Sequence, residues 1–321
     1  MFDALSLDIA DQLMLGIPSD AISVNGTTVD TERALAVLAD LHRRQRIRSA
    51  RSSASQVHTL WMAGVRRTLL RSCRQVATVE SIGRDEFYCH HYQQNSPVFI
   101  QNIAHSVEDT FRWSFDDIRR AFGDIIVRVQ RERADLAEDP KYQGRSVAIK
   151  LESFIDEVVN GSSRDVYMTP AGGAIDGRLR EALDEFHPLR EIIDTGWSPG
   201  NCVMWMGPAG ALTGLHYDLA NVMIIPLIGR KRILLISPDE QRFVYQANGR
   251  PLSGANMMAP DYTLFPLLRF ATPREVTVVP GSALFVPVGW WHAVESLDPT
   301  FSITARGFFA TNDFGAPCHM D

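Results

Sequence analysis

His216 and Asp218 stand one residue apart in Thr213-Gly214-Leu215-His216-Tyr217-Asp218. In a strand, side chains alternate between faces, so this spacing puts an imidazole and a carboxylate on the same side. Nitrogen plus hard oxygen, with no thiolate, suits a first-row divalent ion. One further histidine completes a two-histidine, one-carboxylate facial triad with three open positions. His292, 74 residues after Asp218 in Gly289-Trp290-Trp291-His292, is the candidate. A histidine-x-aspartate pair alone is common by chance, and a buried histidine is more often hydrogen-bonded core than ligand. Lys231 adds weight. It lies fifteen residues past His216 in Gly229-Arg230-Lys231-Arg232, directly before the apolar run 233–236. Alternation separates Lys231 from Arg230 and Arg232, so it is read as a cation that holds an acid in a pocket, against the plainer reading of an edge-strand gatekeeper.

These residues need strands to position them, and the second half of the chain supplies the pattern. Residues 203–206, 213–218, 222–228, 230–237, 276–279, 283–288 and 301–309 read as short strands. Gly207-Pro208, Gly229-Arg230, Pro280-Gly281-Ser282 and Val288-Gly289 break them at hairpin-like spacing, as in a small all-β sandwich or barrel over about 196–310. Upstream, 97–100 and 125–127 read as strands. A helix over 114–122 is capped by Ser114, with Asp117 three residues on, and stopped by Gly123; a second, over 151–159, ends at Asn160-Gly161. Residues 246–274 form a long insertion able to lid a site. Residues 1–85 read as an accessory helical segment, with a short hairpin at Val24-Asn25-Gly26-Thr27 and an apolar stripe of Val57, Trp61, Val65 and Leu69 able to pack on the barrel or pair two copies into a homodimer. Nine arginines and no acid lie between residues 41 and 75, read as a solvated face. The expected class is α+β with a mainly β core, divided into 1–85 and 86–321.

Composition narrows the function classes. The 321 residues are 45% hydrophobic and 22% charged, an ordinary globular balance that leaves no room for disorder, collagen or coiled coil as the main state. The net charge of −6 gives no global attraction for a nucleic-acid backbone. The densest apolar run, 222–228, is seven residues with a proline inside, too short to span a membrane as a helix. Four scattered cysteines without a CxxC pair fit reduced thiols, and a start rich in aspartate fits no secretory signal, so a cytoplasmic setting is expected.

Three segments carry a resemblance: GPAGALTGLHYD (207–218), GRKRILLISP (229–238) and VVPGSALFVPVGWWHAVES (278–296). With FYCHHYQQNSPVFI (87–100), Trp113 and AFGDIIVRV (121–129), they resemble the cupin-like Jumonji-C hydroxylases of the factor-inhibiting-HIF type, over residues 87–309. The resemblance implies a double-stranded β-helix of jelly-roll or cupin type that binds Fe(II) and the co-substrate 2-oxoglutarate and uses O2. It places His216, Asp218 and His292 on the metal, Lys231 and Thr213 on the distal carboxylate of 2-oxoglutarate, and Tyr167 as a further donor to that carboxylate. Two positions depart from the family pattern. Val222 stands where an asparagine is usual, with Asn221 one place early, and Arg306 stands near another usual asparagine; both Asn221 and Arg306 are carried as co-substrate contacts, with Arg306 alternatively meeting a substrate acid. Tyr217, Trp290 and Trp291 are expected to shape the cavity. The resemblance implies a dioxygenase that hydroxylates a protein or peptide side chain. A hydroxylase of a free amino acid or natural-product intermediate, and a non-catalytic cupin-like binding module, remain the alternatives.

Overall fold

The computed structural model describes residues 23–24, 27–28, 75–103, 113–132, 145–161, 166–168, 178–179, 189, 191–194, 202–247, 250–312 and 314. The chain divides into two compact units: residues 1–73 with 261–270, and residues 74–260 with 271–321. In the first unit, β1 (Ser23–Val24) pairs antiparallel with β2 (Thr27–Thr28), as the Asn-Gly signal between them requires. The apolar helix stripe and the arginine-rich stretch lie outside the described residues.

The second unit holds β3 (Ala77–Val79), β4 (Val98–Ile100), β5 (Ile126–Arg131), β6 (Arg145–Lys150), β7 (Cys202–Gly207), β8 (Leu212–His216), β9 (Val222–Ile228), β10 (Lys231–Ile236), β11 (Arg274–Val278), β12 (Ala283–Val286), β13 (Trp291–Ser296) and β14 (Thr300–Ala305). Two sheets carry the core, one in the order β11-β10-β13-β8 and one in the order β3-β4-β12-β9-β14-β7. From β7 onward the chain changes sheet at nearly every connection, as a jelly-roll winding does; only β10 and β11 pair as sequential neighbours. The glycine and proline breakers, expected at hairpins, therefore sit at corners between sheets. Gly229, at φ +71°, turns β9 into β10, and a side chain there would run into the Pro299 carbonyl. The strand Ala77–Val79 falls inside the stretch read as helical; it runs parallel to β4.

Alternation explains both faces of the larger sheet. Phe301, Ile303 and Ala305 of β14, with Met223, Ile225 and Leu227 of β9, join one cluster with Phe154, Ile155 and Val158 of the helix Leu151–Asn160 and Ile118 and Phe122 of the helix Phe115–Phe122. Val222, Ile224, Leu284 and Val286 face the other way and meet Ile233, Leu235, Val276, Val278 and Val294 of the smaller sheet. β9 is buried on both faces, so it reads as a continuous apolar run rather than an alternating one. Its Pro226 lacks a backbone donor and lies where the β9–β14 register slips between Phe301 and Ser302, a bulge that tolerates it. Both helices end as read from sequence. The Ser114 hydroxyl accepts from Asp117 N at 3.1 Å, and Gly161 closes the second helix at φ +64°.

Candidate metal centre

His216 is the last residue of β8 and His292 the second of β13, and the two are directly paired across an antiparallel ladder, ring centroids 4.1 Å apart. The 76-residue step from His216 to His292 is thus closed by sheet register. His292 was expected just past a strand; it lies within one that Trp291 opens. Asp218 is past the end of β8, and the turn rather than strand alternation delivers it, its backbone carbonyl accepting from Gly289 N at 3.1 Å. Its Oδ2 lies 3.8 Å from His292 Nε2. One ligand atom from each of the three residues falls within 4.8 Å of the others, a group able to hold a metal ion.

The hydrogen bonds fix which nitrogens face that point. His216 Nδ1 contacts the Gly214 carbonyl at 2.7 Å and His292 Nδ1 the Trp290 carbonyl at 3.0 Å. A carbonyl only accepts, so each Nδ1 carries the proton and each Nε2 keeps its lone pair for an ion. Burial, then the neighbouring His216, hold His292 down to a pKa of about 4, against the opposing pull of Asp218, so the imidazole is neutral at physiological pH. The donor set fits a first-row divalent ion bound on one face.

Register places the other predicted residues. Lys231, Ile233 and Leu235 pair with Ser296, Val294 and His292, so all six share the inner face. Lys231 is 2% exposed, and its Nζ donates to Tyr167 Oη at 3.2 Å. Arg230 and Arg232 face outward onto Asp298 and onto Glu275 with Glu295. Tyr167 joins Gln130 and its neighbour Met168 joins Met206 through single bridges, and its ring packs where any side chain on Gly207 would sit, with Cε2 at 2.7 Å from a Cβ there. Thr213, three residues before His216, would lie on the opposite face of a regular strand. A slip in the β8–β13 register pairs it with Val294 and returns it to the inner face.

Asn221 is buried and its Oδ1 accepts from Val288 N at 2.8 Å, tying the start of β9 to the turn before His292. Arg306 Nη2 lies 3.6 Å from Asp218 Oδ1. Trp291 pairs with Ile236 on the outer face, where its ring meets Tyr217 edge-on at 4.9 Å; neither shapes the cavity as expected. Trp290 does join the inner cluster. From the insertion, Pro251 O accepts from Tyr217 N and Ser253 N donates to Leu215 O, so it runs along the free edge of β8 beside His216. Two inner-face features escaped the sequence reading: Trp205, whose Nε1 donates to Thr304 Oγ1 at 3.0 Å, and the row Thr300, Ser302, Thr304. The signal was there, a hydroxyl at every second position of an otherwise apolar strand.

Residues 84–313 match the cupin-like domain family. This chain belongs to the cupin-like JmjC family. That family comprises Fe(II)- and 2-oxoglutarate-dependent oxygenases, and the two-sheet jelly roll described above carries a histidine-aspartate-histidine group that could hold a metal ion. The chain is 26% identical over 235 residues to lysine-specific demethylase 8 of Xenopus tropicalis, covering 68% of this chain and 50% of that protein. It is 37% identical over 127 residues to human HSPB1-associated protein 1, covering 35% and 26%, and 36% identical over 103 residues to JmjC domain-containing protein D of Dictyostelium discoideum, covering 31% and 23%. The chain thus spans half or less of these relatives.

Proposed function

We propose that this chain is an oxygenase that uses Fe(II) and 2-oxoglutarate to hydroxylate an unactivated C–H bond on a protein or peptide side chain. The observation that carries the reading is the pair of imidazoles whose Nδ1 protons are spent on backbone carbonyls, leaving two Nε2 lone pairs and the Asp218 carboxylate turned on one point. His216, Asp218 and His292 would hold the iron. Lys231, with Tyr167 and Thr213, would hold the distal carboxylate of 2-oxoglutarate; a buried ammonium already bonded to a phenol is a fixed countercharge that needs no rearrangement to receive it. An iron held there would, with co-substrate and O2, supply an oxidant strong enough for an unactivated C–H bond. The protein's own work is to keep the His292 imidazole neutral, to hold the acid anchor dry, and to aim the substrate.

A polypeptide substrate is supported by relatives named as a lysine-specific demethylase and an HSPB1-associated protein. The test is anaerobic addition of Fe(II) and 2-oxoglutarate, which gives a weak visible charge-transfer band in the wild type and none in His216→Ala. Under air, 2-oxoglutarate is converted to succinate. A wild-type protein that shows neither band nor succinate is not an oxygenase.

A further inference from the structure

β14 shows the interior a row of polar residues, Thr300, Ser302 and Thr304, and the next residue of that parity is Arg306. Thr300 is engaged by Ser296 and Thr304 by Trp205. The Arg306 guanidinium is not so engaged. Its Nε is buried with no hydrogen-bond partner among the described residues, and its sole ion pair there is to Asp218 Oδ1 at 3.6 Å, longer than a hydrogen bond. The side chain is 37% exposed, so it lies beside Asp218 without being sealed from a ligand. Its backbone is fixed: Asn312 Nδ2 donates to Arg306 O at 2.6 Å and to Asn221 O at 3.0 Å, while Asn221 Oδ1 holds Val288 N ahead of the His292 strand. One clamp therefore sets the position of Arg306 relative to the strand that carries a metal ligand.

We infer that Arg306 is the substrate-recognition cation of this site and that it selects a substrate bearing a carboxylate close to the reacting carbon. This inference rests on the function proposed above. A divalent ion on His216, Asp218 and His292 takes up the Asp218 charge, which leaves Arg306 without a counterion among the described residues. Lys231, on the inner face four residues along β10 from the His292 row, already answers the co-substrate acid. The second fixed cation calls for a second anion, and a guanidinium meets a carboxylate with two parallel donors. A lysine or arginine side chain brought to the same place meets like charge in a low-dielectric site. The carboxylate can come from an acidic side chain or from a chain end.

The experiment uses the full chain with Fe(II) and 2-oxoglutarate, without oxygen, and capped peptide pools of randomised flanks with a central Glu, Gln or Lys. The readout is the pool concentration that half-shifts the visible band. The Glu pool is expected to act at about ten- to a hundredfold lower concentration than the Gln pool, the range of one charge-assisted contact, with the Lys pool weakest. R306K retains that order, R306M removes it while keeping the band, and R306E reverses it. A Gln pool with a free C-terminus that acts like the Glu pool assigns the carboxylate to a chain end. The inference is overturned if the Lys pool matches or exceeds the Glu pool, if no pool shifts the band, or if R306M loses the band with Lys231 intact, which would give Arg306 to the co-substrate. Absence of the band in the wild type sinks the underlying function instead.

Discussion

Two backbone carbonyls, those of Gly214 and Trp290, decide how the imidazoles behave. By accepting from Nδ1 they set the tautomer, and burial keeps His292 neutral. The metal-free protein should therefore lose stability on acidification in a defined window. The unfolded imidazole takes its proton near pH 6.5 and the folded one near pH 4, so the unfolded chain binds more protons between them. This contribution is full above about pH 6.5 and is lost as the pH falls through about 4. Urea unfolding of the metal-free protein at intervals from pH 7.5 to 4 should show that decline, and His292→Gln should flatten it. At the other end of the inner face, Lys231→Met should weaken 2-oxoglutarate binding by about ten- to a hundredfold, measured by titration of the visible band, with Fe(II) binding retained. The candidate metal-holding group was legible because chemistry restricts which side chains can serve. The inner-face position of Thr213 was not, since it depends on a slip in strand register that one strand's pattern does not encode.

Among the elements, the corners carry as much information as the strands. Gly229 combines a positive φ with a backbone carbonyl where a Cβ would go, so Gly229→Ala should destabilise by about 2 kcal/mol or more, read from a shifted urea midpoint at unchanged slope. Ser114→Ala removes the acceptor for Asp117 N and should cost about 1 kcal/mol in the same assay. Strands such as β11, with Arg274, Val276 and Val278 buried and Glu275 and Thr277 exposed, were legible from alternation alone. The β13 strand was missed because its buried pattern hardly alternates. Where the breakers lead was not legible either: a Gly-Arg turn signals a reversal but not whether the next strand rejoins its own sheet or crosses to the other.

At the scale of the molecule, the candidate metal centre brings together two chain segments, residues 216–218 and the strand of His292, that have no local reason to meet. Binding a divalent ion there stabilises only the folded state. Mn(II) at a hundred times its dissociation constant should therefore raise stability by about 2.7 kcal/mol, seen as a higher Tm that a chelator reverses and that His216→Ala lacks. The sequence by itself determined the donor types, the apolar strands that must be buried and the turn residues between them, because side-chain chemistry and backbone preference are local properties. Only the tertiary structure decided that His292 lies opposite His216, that Lys231 is dry and bonded to Tyr167, and that Arg306 reaches Asp218. Those facts arise from register between strands far apart in the chain, and register is settled by how two sheets bury their faces together rather than by any one segment.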